Sequence, residues 1–174
     1  MTAPAVFLVR DGVINVDSGY VGHWDSFVFL PGAVDAMRTL CDAGYVLVIV
    51  TNQSGIGRGF YSEEDFHLLT AQMREALSEQ GVSVAGVYFC PPLPEATLPQ
   101  YRKVCDCRKP SPGLIHRAVH DLKIDLERSA MVGDKASDMQ AALAAGISRR
   151  YQVVSGAPYE GCGREFSKND IEIL

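Results

Sequence analysis

An α/β fold, built as a Rossmann-like parallel sheet with helices on both faces, is what this sequence predicts, and two observations carry the prediction. Short apolar, β-branched runs alternate with amphipathic stretches of helical period. Polar, chemistry-bearing motifs stand where those apolar runs stop. In an open parallel sheet, ligands bind beyond the carboxyl ends of the strands, so one edge of the sheet collects the motifs. With 174 residues, 47% of them hydrophobic and 21% charged, the chain reads as one domain over 1–174 with its own core.

Taken in order, Ala5–Val9 is a continuous apolar run ending at Arg10-Asp11-Gly12. Tyr45–Val50 is apolar throughout, as a strand buried on both faces is, and stops at Thr51-Asn52-Gln53-Ser54. Val84–Phe89 runs into Cys90-Pro91-Pro92, Ser129–Val132 stops at Gly133-Asp134-Lys135, and Arg150–Val154 is the last expected strand. Between them, Pro31 is read as a first-turn proline, with Val34, Met37, Leu40 and Cys41 on one helical face and Gly44 as the stop. Ser62 caps a second helix, with Glu63, Glu64 and Asp65 in its first turn and Phe66, Leu69, Met73 and Leu77 inward. Ser111-Pro112 opens a third helix, and Ser137 or Asp138 caps a fourth that ends at Gly146. The tail, about 156–174, has no clear periodicity and is expected to be irregular or an altered last element.

Lys and Arg number 16 against 21 Asp and Glu, a net charge of -5, which argues against a nucleic-acid partner. The longest apolar run, Val46–Val50, is far too short to cross a bilayer, and no basic segment leads into a signal-like apolar stretch. A cytoplasmic monomer without membrane association is expected. The odd set of five cysteines argues against a disulfide framework, and three of them fall in the segment 90–107.

The expected edge holds Asp11, Asp17, Thr51, Asn52, Arg108, Lys109, Asp134 and Asp138. Carboxylates suit a hard cation such as Mg2+, while a hydroxyl, backbone N–H groups and a lysine suit a phosphate. Together they describe phosphoryl transfer, where catalysis is mostly positioning and charge stabilisation. Each residue alone is unremarkable: Asp before Gly is commonly a turn, and Asp134 and Asp138 could cap a helix.

The ordered set V-R-D-G-V, T-N-Q-S-G, R-K-P-x-P-G and V-G-D-K-x-x-D resembles the four motifs of the haloacid-dehalogenase superfamily, over about Ala5 to Ile147. The stretches Ile14–Val21, Val50–Gly59, Val104–Gly113 and Met131–Ala142 resemble the D,D-heptose 1,7-bisphosphate 7-phosphatase family, with the histidinol-phosphate phosphatases as its sister. The resemblance implies a magnesium-dependent phosphatase without a large cap domain, acting on a small phosphorylated sugar or similar phosphomonoester. It implies Asp11 as the acid/base, Thr51 and Lys109 on the transferring phosphoryl group, and Arg108 in substrate recognition. Asp134 and the Asp11 backbone carbonyl would hold Mg2+. Arg10, Asp17, Ser18, Gly19, Tyr20, Asn52, Gln53, Ser54 and Lys135 match substrate-contacting positions.

Two positions depart from the pattern. Val9 stands where the family has its nucleophilic aspartate, and a valine can neither attack phosphorus nor ligate a metal. Turnover is expected to be impaired, with the fold intact. In the segment 90–107, Cys90, Cys105 and Cys107 are kept, but Pro92 occupies the position of a zinc-ligating histidine. Structural Zn2+ prefers four ligands, which leaves a three-thiolate site and a metal-free loop as alternatives. A non-catalytic sugar-phosphate-binding protein is the other reading of the whole.

Overall fold

The structure, a computed structural model, describes residues 2–154 and the strand 171–173. Its centre is β1 (Ala3–Leu8), flanked in parallel by β2 (Val46–Asn52) and β4 (Ile124–Gly133). β3 (Val84–Cys90) pairs with β2, β5 (Arg149–Gln152) with β4, and β6 (Ile171–Ile173) with β5, giving the order β3-β2-β1-β4-β5-β6, parallel throughout. Among the described residues there is no separate cap domain. The long connections 9–32 and 91–112 lie at the strand ends instead.

Strand alternation sorts the core into two layers. Ala5, Phe7 and Val9 of the first strand and its end join Val48 and Val50 of β2 under α4 (Gly113–Leu122) and α5 (Ala136–Ala145). Val6, Leu8, Leu47 and Ile49 face the other way, toward Met37 of α1 (Ala33–Asp42) and Leu69, Met73 and Leu77 of α3 (Glu63–Glu79). The continuous apolar runs are therefore central strands buried on both faces, as their composition required.

Local chemistry sets most helix ends as expected. Ser62 Oγ accepts the Asp65 N–H at 3.1 Å, and the Asp65 carboxylate accepts the Ser62 N–H at 2.9 Å, a reciprocal cap of about 1 kcal/mol. Gly146, at φ 96°, supplies the left-handed residue that ends α5.

Three expectations need correction. Pro31 is outside the first helix, because Gly32 turns left-handed (φ 80°) and α1 starts at Ala33. The N-cap of α5 is Lys135, and Asp138 in the first turn reaches back to the N–H groups of Asp134 and Lys135 at 3.1 and 3.0 Å. β4 starts five residues earlier than the apolar run suggests, since Asp125, Glu127 and Arg128 obscure it and an irregularity interrupts its pairing with β1. Within the tail, β6 is a short ordered strand, while 155–170 lies outside the described residues.

Candidate active site

The strand ends surround a cavity of about 440 Å³. β1 delivers Val9 and Asp11, β2 delivers Thr51 through Ser54, and β4 delivers Asp134 and Lys135. The turn before α4 brings Arg108 and Lys109, and the loop after β1 brings Asp17, Gly19 and Tyr20. Motifs up to about 125 residues apart in sequence thus share one wall, as the parallel topology dictates.

Asp11 is the most firmly held carboxylate. Arg10, only 1% exposed, donates to it from Nε and from a terminal guanidinium nitrogen, each at 3.1 Å. Asn15 Nδ2 donates to Asp11 Oδ1 at 3.0 Å, and Gln53 Nε2 to Oδ2 at 3.2 Å. The same arginine donates to the Val21 carbonyl, and the Tyr61 hydroxyl donates a short hydrogen bond to Gln53 Oε1. Burial pushes the Tyr61 phenol up to about 12, so it remains a donor. Arg10, expected among the substrate contacts, does not line the cavity, and its buried guanidinium holds the Asp11 carboxylate. Ser18, also expected to contact substrate, does not line the cavity either.

Asn52 and Lys109 are tied together. The Lys109 N–H donates to Asn52 Oδ1 at 3.1 Å, and Asn52 Nδ2 donates to the Lys109 carbonyl at 3.3 Å. Lys109 Nζ lies 2.7 Å from Asp138 Oδ1 and donates to the Val50 carbonyl at 3.2 Å. Burial lowers its pKa, and the neighbouring Asp138 carboxylate opposes that shift. Thr51 accepts from Gln53 Nε2 at 2.8 Å and is 1% exposed.

Asp134 is raised to about 6, first by burial and then by the neighbouring Asp138 carboxylate. Its Oδ1 is buried without a hydrogen-bond partner. Gly12, at φ 87°, packs so closely on it that a Cβ there would stand 2.3 Å from Asp134 Oδ2. A half-buried carboxylate with one buried, unpartnered oxygen, lining a cavity also lined by Asp11, is chemistry that fits a hard cation such as Mg2+. The fit is incomplete at position 9. The Val9 side chain is 6% exposed and packs into the layer under α4 and α5, while its N–H donates to the Val132 carbonyl at 3.2 Å.

The cysteine segment converges as expected. The Sγ atoms of Cys90, Cys105 and Cys107 lie within 4.8 Å of one another, and among the described residues no His, Asp or Glu joins them. Cys90 and Cys107 are joined as a disulfide, with Cys105 Sγ 3.3 Å from each sulfur. This single link is not a disulfide framework, and it falls within the three-cysteine cluster that the segment 90–107 brings together. Cys162 lies outside the described residues.

Sequence reasoning passed over Arg58 and Tyr61, which also line the cavity. Arg58 stands in a Gly-rich stretch that reads as a loop, and Tyr61 carries no spacing signal. The glycines do carry a trace: a Cβ on Gly22 or Gly55 would come within 2.4 and 2.3 Å of the Tyr61 ring.

A parallel α/β domain that gathers carboxylates, a hydroxyl and a buried lysine at one edge is a phosphatase of the haloacid-dehalogenase kind. A HAD-hydrolase-like family model matches residues 106–157. A D-glycero-beta-D-manno-heptose-1,7-bisphosphate 7-phosphatase of Photorhabdus laumondii is 52% identical over 155 residues, covering 89% of this chain and 82% of that protein. The same enzyme of Escherichia coli K12 is 49% identical over 157 residues, covering 90% and 82%. The crystal structure of D,D-heptose 1,7-bisphosphate phosphatase from B. bronchiseptica, complexed with magnesium and phosphate, superposes with a TM-score of 0.79 at 34% identity, covering 88% of this chain and 82% of that one. The chain belongs to the D-glycero-beta-D-manno-heptose-1,7-bisphosphate 7-phosphatase family.

Proposed function

We propose that this chain binds D-glycero-D-manno-heptose 1,7-bisphosphate at the cavity as a 7-phosphatase of its family does, and that Val9 leaves it slow or inactive in hydrolysis. The observation carrying this reading is Val9 itself: an apolar side chain on the floor of a cavity where Asp11, Thr51, Lys109 and Asp134 remain assembled. In the family reaction a carboxylate at this position attacks phosphorus, Asp11 protonates the departing sugar oxygen, and Asp11 then deprotonates the hydrolytic water. Here Asp11 is oriented for both proton transfers by Arg10, Asn15 and Gln53, but no nucleophile stands beside it. Thr51 and Lys109 hold the phosphoryl group. Asp134 and the Asp11 backbone carbonyl would hold Mg2+, which when bound supplies charge neutralisation at the phosphate.

The reading extends to a cytoplasmic monomer. Among the described residues, no helix is long and apolar enough to cross a membrane. For the cysteine segment the proposal is structural Zn2+ on the three thiolates when they are reduced.

The test is magnesium-dependent phosphate release by the Val9→Asp protein. Release from the heptose bisphosphate supports the reading, release only from histidinol phosphate moves the chain to the sister activity, and none from either overturns it. A second reading, a non-catalytic sugar-phosphate-binding protein, is favoured by the same kept groups around Val9. Calorimetry on the unmodified chain tests it, and no heat at millimolar heptose bisphosphate would remove it.

A further inference from the structure

Gln53 stands among the substrate-contacting positions expected from the sequence, yet its side chain has no polar capacity left for a substrate. It is 2% exposed. A primary amide offers two N–H donors and one carbonyl oxygen with two lone pairs. Gln53 Nε2 donates to Asp11 Oδ2 at 3.2 Å and to Thr51 Oγ1 at 2.8 Å. Gln53 Oε1 accepts from the Tyr61 hydroxyl and, at 3.3 Å, from an Arg10 nitrogen. The amide therefore bridges two cavity groups with separate tasks, the carboxylate of Asp11 and the hydroxyl of Thr51.

Because Thr51 Oγ1 accepts from Gln53, its own proton is directed elsewhere. The protein offers that proton only the Asn52 carbonyl, at 3.5 Å, the outer limit for such a bond. Thr51 lines the cavity, so the proton is left for a phosphoryl oxygen there. What anchors the amide is the pair of donors on Gln53 Oε1. The Arg10 nitrogen is the weaker of the two, since its two protons are spread over Asp11 Oδ2, the Val21 carbonyl and Gln53. Tyr61 is the dedicated donor. Its side chain is 6% exposed and fills a slot walled by glycines: a Cβ on Gly22 would stand 2.4 Å, and one on Gly55 2.3 Å, from the ring. Gly22 belongs to the loop after β1 and Gly55 to the short helix α2 (Ser54–Gly57), so the backbone itself sets where the hydroxyl lies. Burial pushes the phenol up to about 12, which keeps its proton in place.

We propose that Tyr61 is a positioning residue for phosphoryl transfer: acting through Gln53, its hydroxyl fixes the Asp11 carboxylate and the Thr51 hydroxyl in one shared orientation. The inference rests on the proposed phosphomonoester chemistry of the same site and deepens it. It also takes the Gln53 side chain out of the substrate contacts and makes it the bridge between two groups that serve the reaction. A bridge of this kind holds geometry that matters most in the transition state, so its loss is felt in turnover more than in substrate binding.

The experiment is a double-mutant cycle in the Val9→Asp protein, with Tyr61→Phe, Gln53→Met and the two together, read as magnesium-dependent phosphate release from the heptose bisphosphate. Tyr61→Phe keeps the ring in its slot and removes only the hydroxyl. It is expected to lower kcat about 5–10-fold, the scale of one lost hydrogen bond, and to change KM less than about twofold. With Gln53→Met already in place, Tyr61→Phe should lower kcat by less than about twofold, because no amide remains to be held. A merely structural tyrosine would cost the same factor in both backgrounds. The proposal is overturned if Tyr61→Phe leaves kcat within about twofold, if its cost falls on KM, or if a loss of about twofold or more persists beside Gln53→Met. If the Val9→Asp protein releases no phosphate, the functional reading falls separately. Calorimetry of inorganic phosphate with Mg2+ on the same cycle in the unmodified chain then decides. Weakening by about fivefold in Tyr61→Phe that vanishes beside Gln53→Met supports the relay, and any other result, absence of binding included, overturns it.

Discussion

The phosphate cavity, with Val9 on its floor, and the cysteine segment, with Pro92 near its start, hold their remaining polar groups in different ways. Around Val9 the other groups hold their places through independent partners: Asp11 through Arg10, Lys109 through Asp138, Asn52 through the Lys109 backbone. Two residues lining the same cavity keep buried atoms without a hydrogen-bond partner, Asp134 Oδ1 and a guanidinium nitrogen of Arg108. Around Pro92 the remaining ligands are one another's neighbours, and two of them close into a disulfide. A site made of oxygen and nitrogen groups with separate supports waits for its ligand. A site made only of thiols can satisfy itself covalently.

The largest expected effect sharpens the first half of that contrast. If the cavity is intact except for Val9, then Val9→Asp alone should raise phosphate release by about 10⁴-fold or more, the scale on which removing a nucleophile that works within a unit is felt. Steady-state phosphate assay measures it, and a gain below tenfold would mean the surroundings have drifted as well.

Next in size is the support beneath the phosphate. Lys109→Met leaves Asp138 charged and buried, both partners now being 3% exposed at the side chain. Denaturant unfolding should show a loss of about 3–5 kcal/mol. Replacing both, as Lys109→Met with Asp138→Leu, should return much of it, since the cost is the stranded charge.

The cysteine segment gives the third effect. Reduction opens the Cys90–Cys107 link, which spans 17 residues, and by loop entropy should cost about 3 kcal/mol. Thermal melts with and without reductant measure it. Adding Zn2+ to the reduced protein should restore stability and bring up to one equivalent of metal by elemental analysis. Oxidised protein should take none, because two of its three sulfurs are no longer thiolates.

The smallest effect is on magnesium. Asp134 is raised to about 6, so at pH 7 it is mostly ionised and at pH 5 mostly protonated. Metal requires the ionised form, so calorimetric Mg2+ affinity should fall about tenfold from pH 7 to 5. Relative to an ordinary carboxylate, the raised value disfavours the charged form in the folded protein. It therefore costs stability above pH 6 and ceases to do so below the unfolded value near 4.

Much of this was legible beforehand. Strand cores such as Val46–Val50 announce themselves because burial on both faces forces an unbroken apolar run, and the ordered motifs placed Asp11, Thr51, Lys109 and Asp134 at one edge. The misses have a common cause. Arg10 next to Asp11 looks like a solvated turn, and only the tertiary structure shows it buried beneath its neighbour. Tyr61 and Arg58 act through glycines that make room for a ring and through a cavity wall, neither of which has a sequence period. The first half of β4 was hidden because charged residues at a pairing irregularity break the alternation that marks a strand.

The clamp of Arg10, Asn15 and Gln53 on Asp11 makes position 9 a separable part of the cavity. The hydrogen bonds that define it end on the Asp11 carboxylate, and none goes to Val9. An exchange at position 9 therefore leaves the orientation of Asp11 in place, so the chemistry of one side chain can be changed without retuning its neighbour.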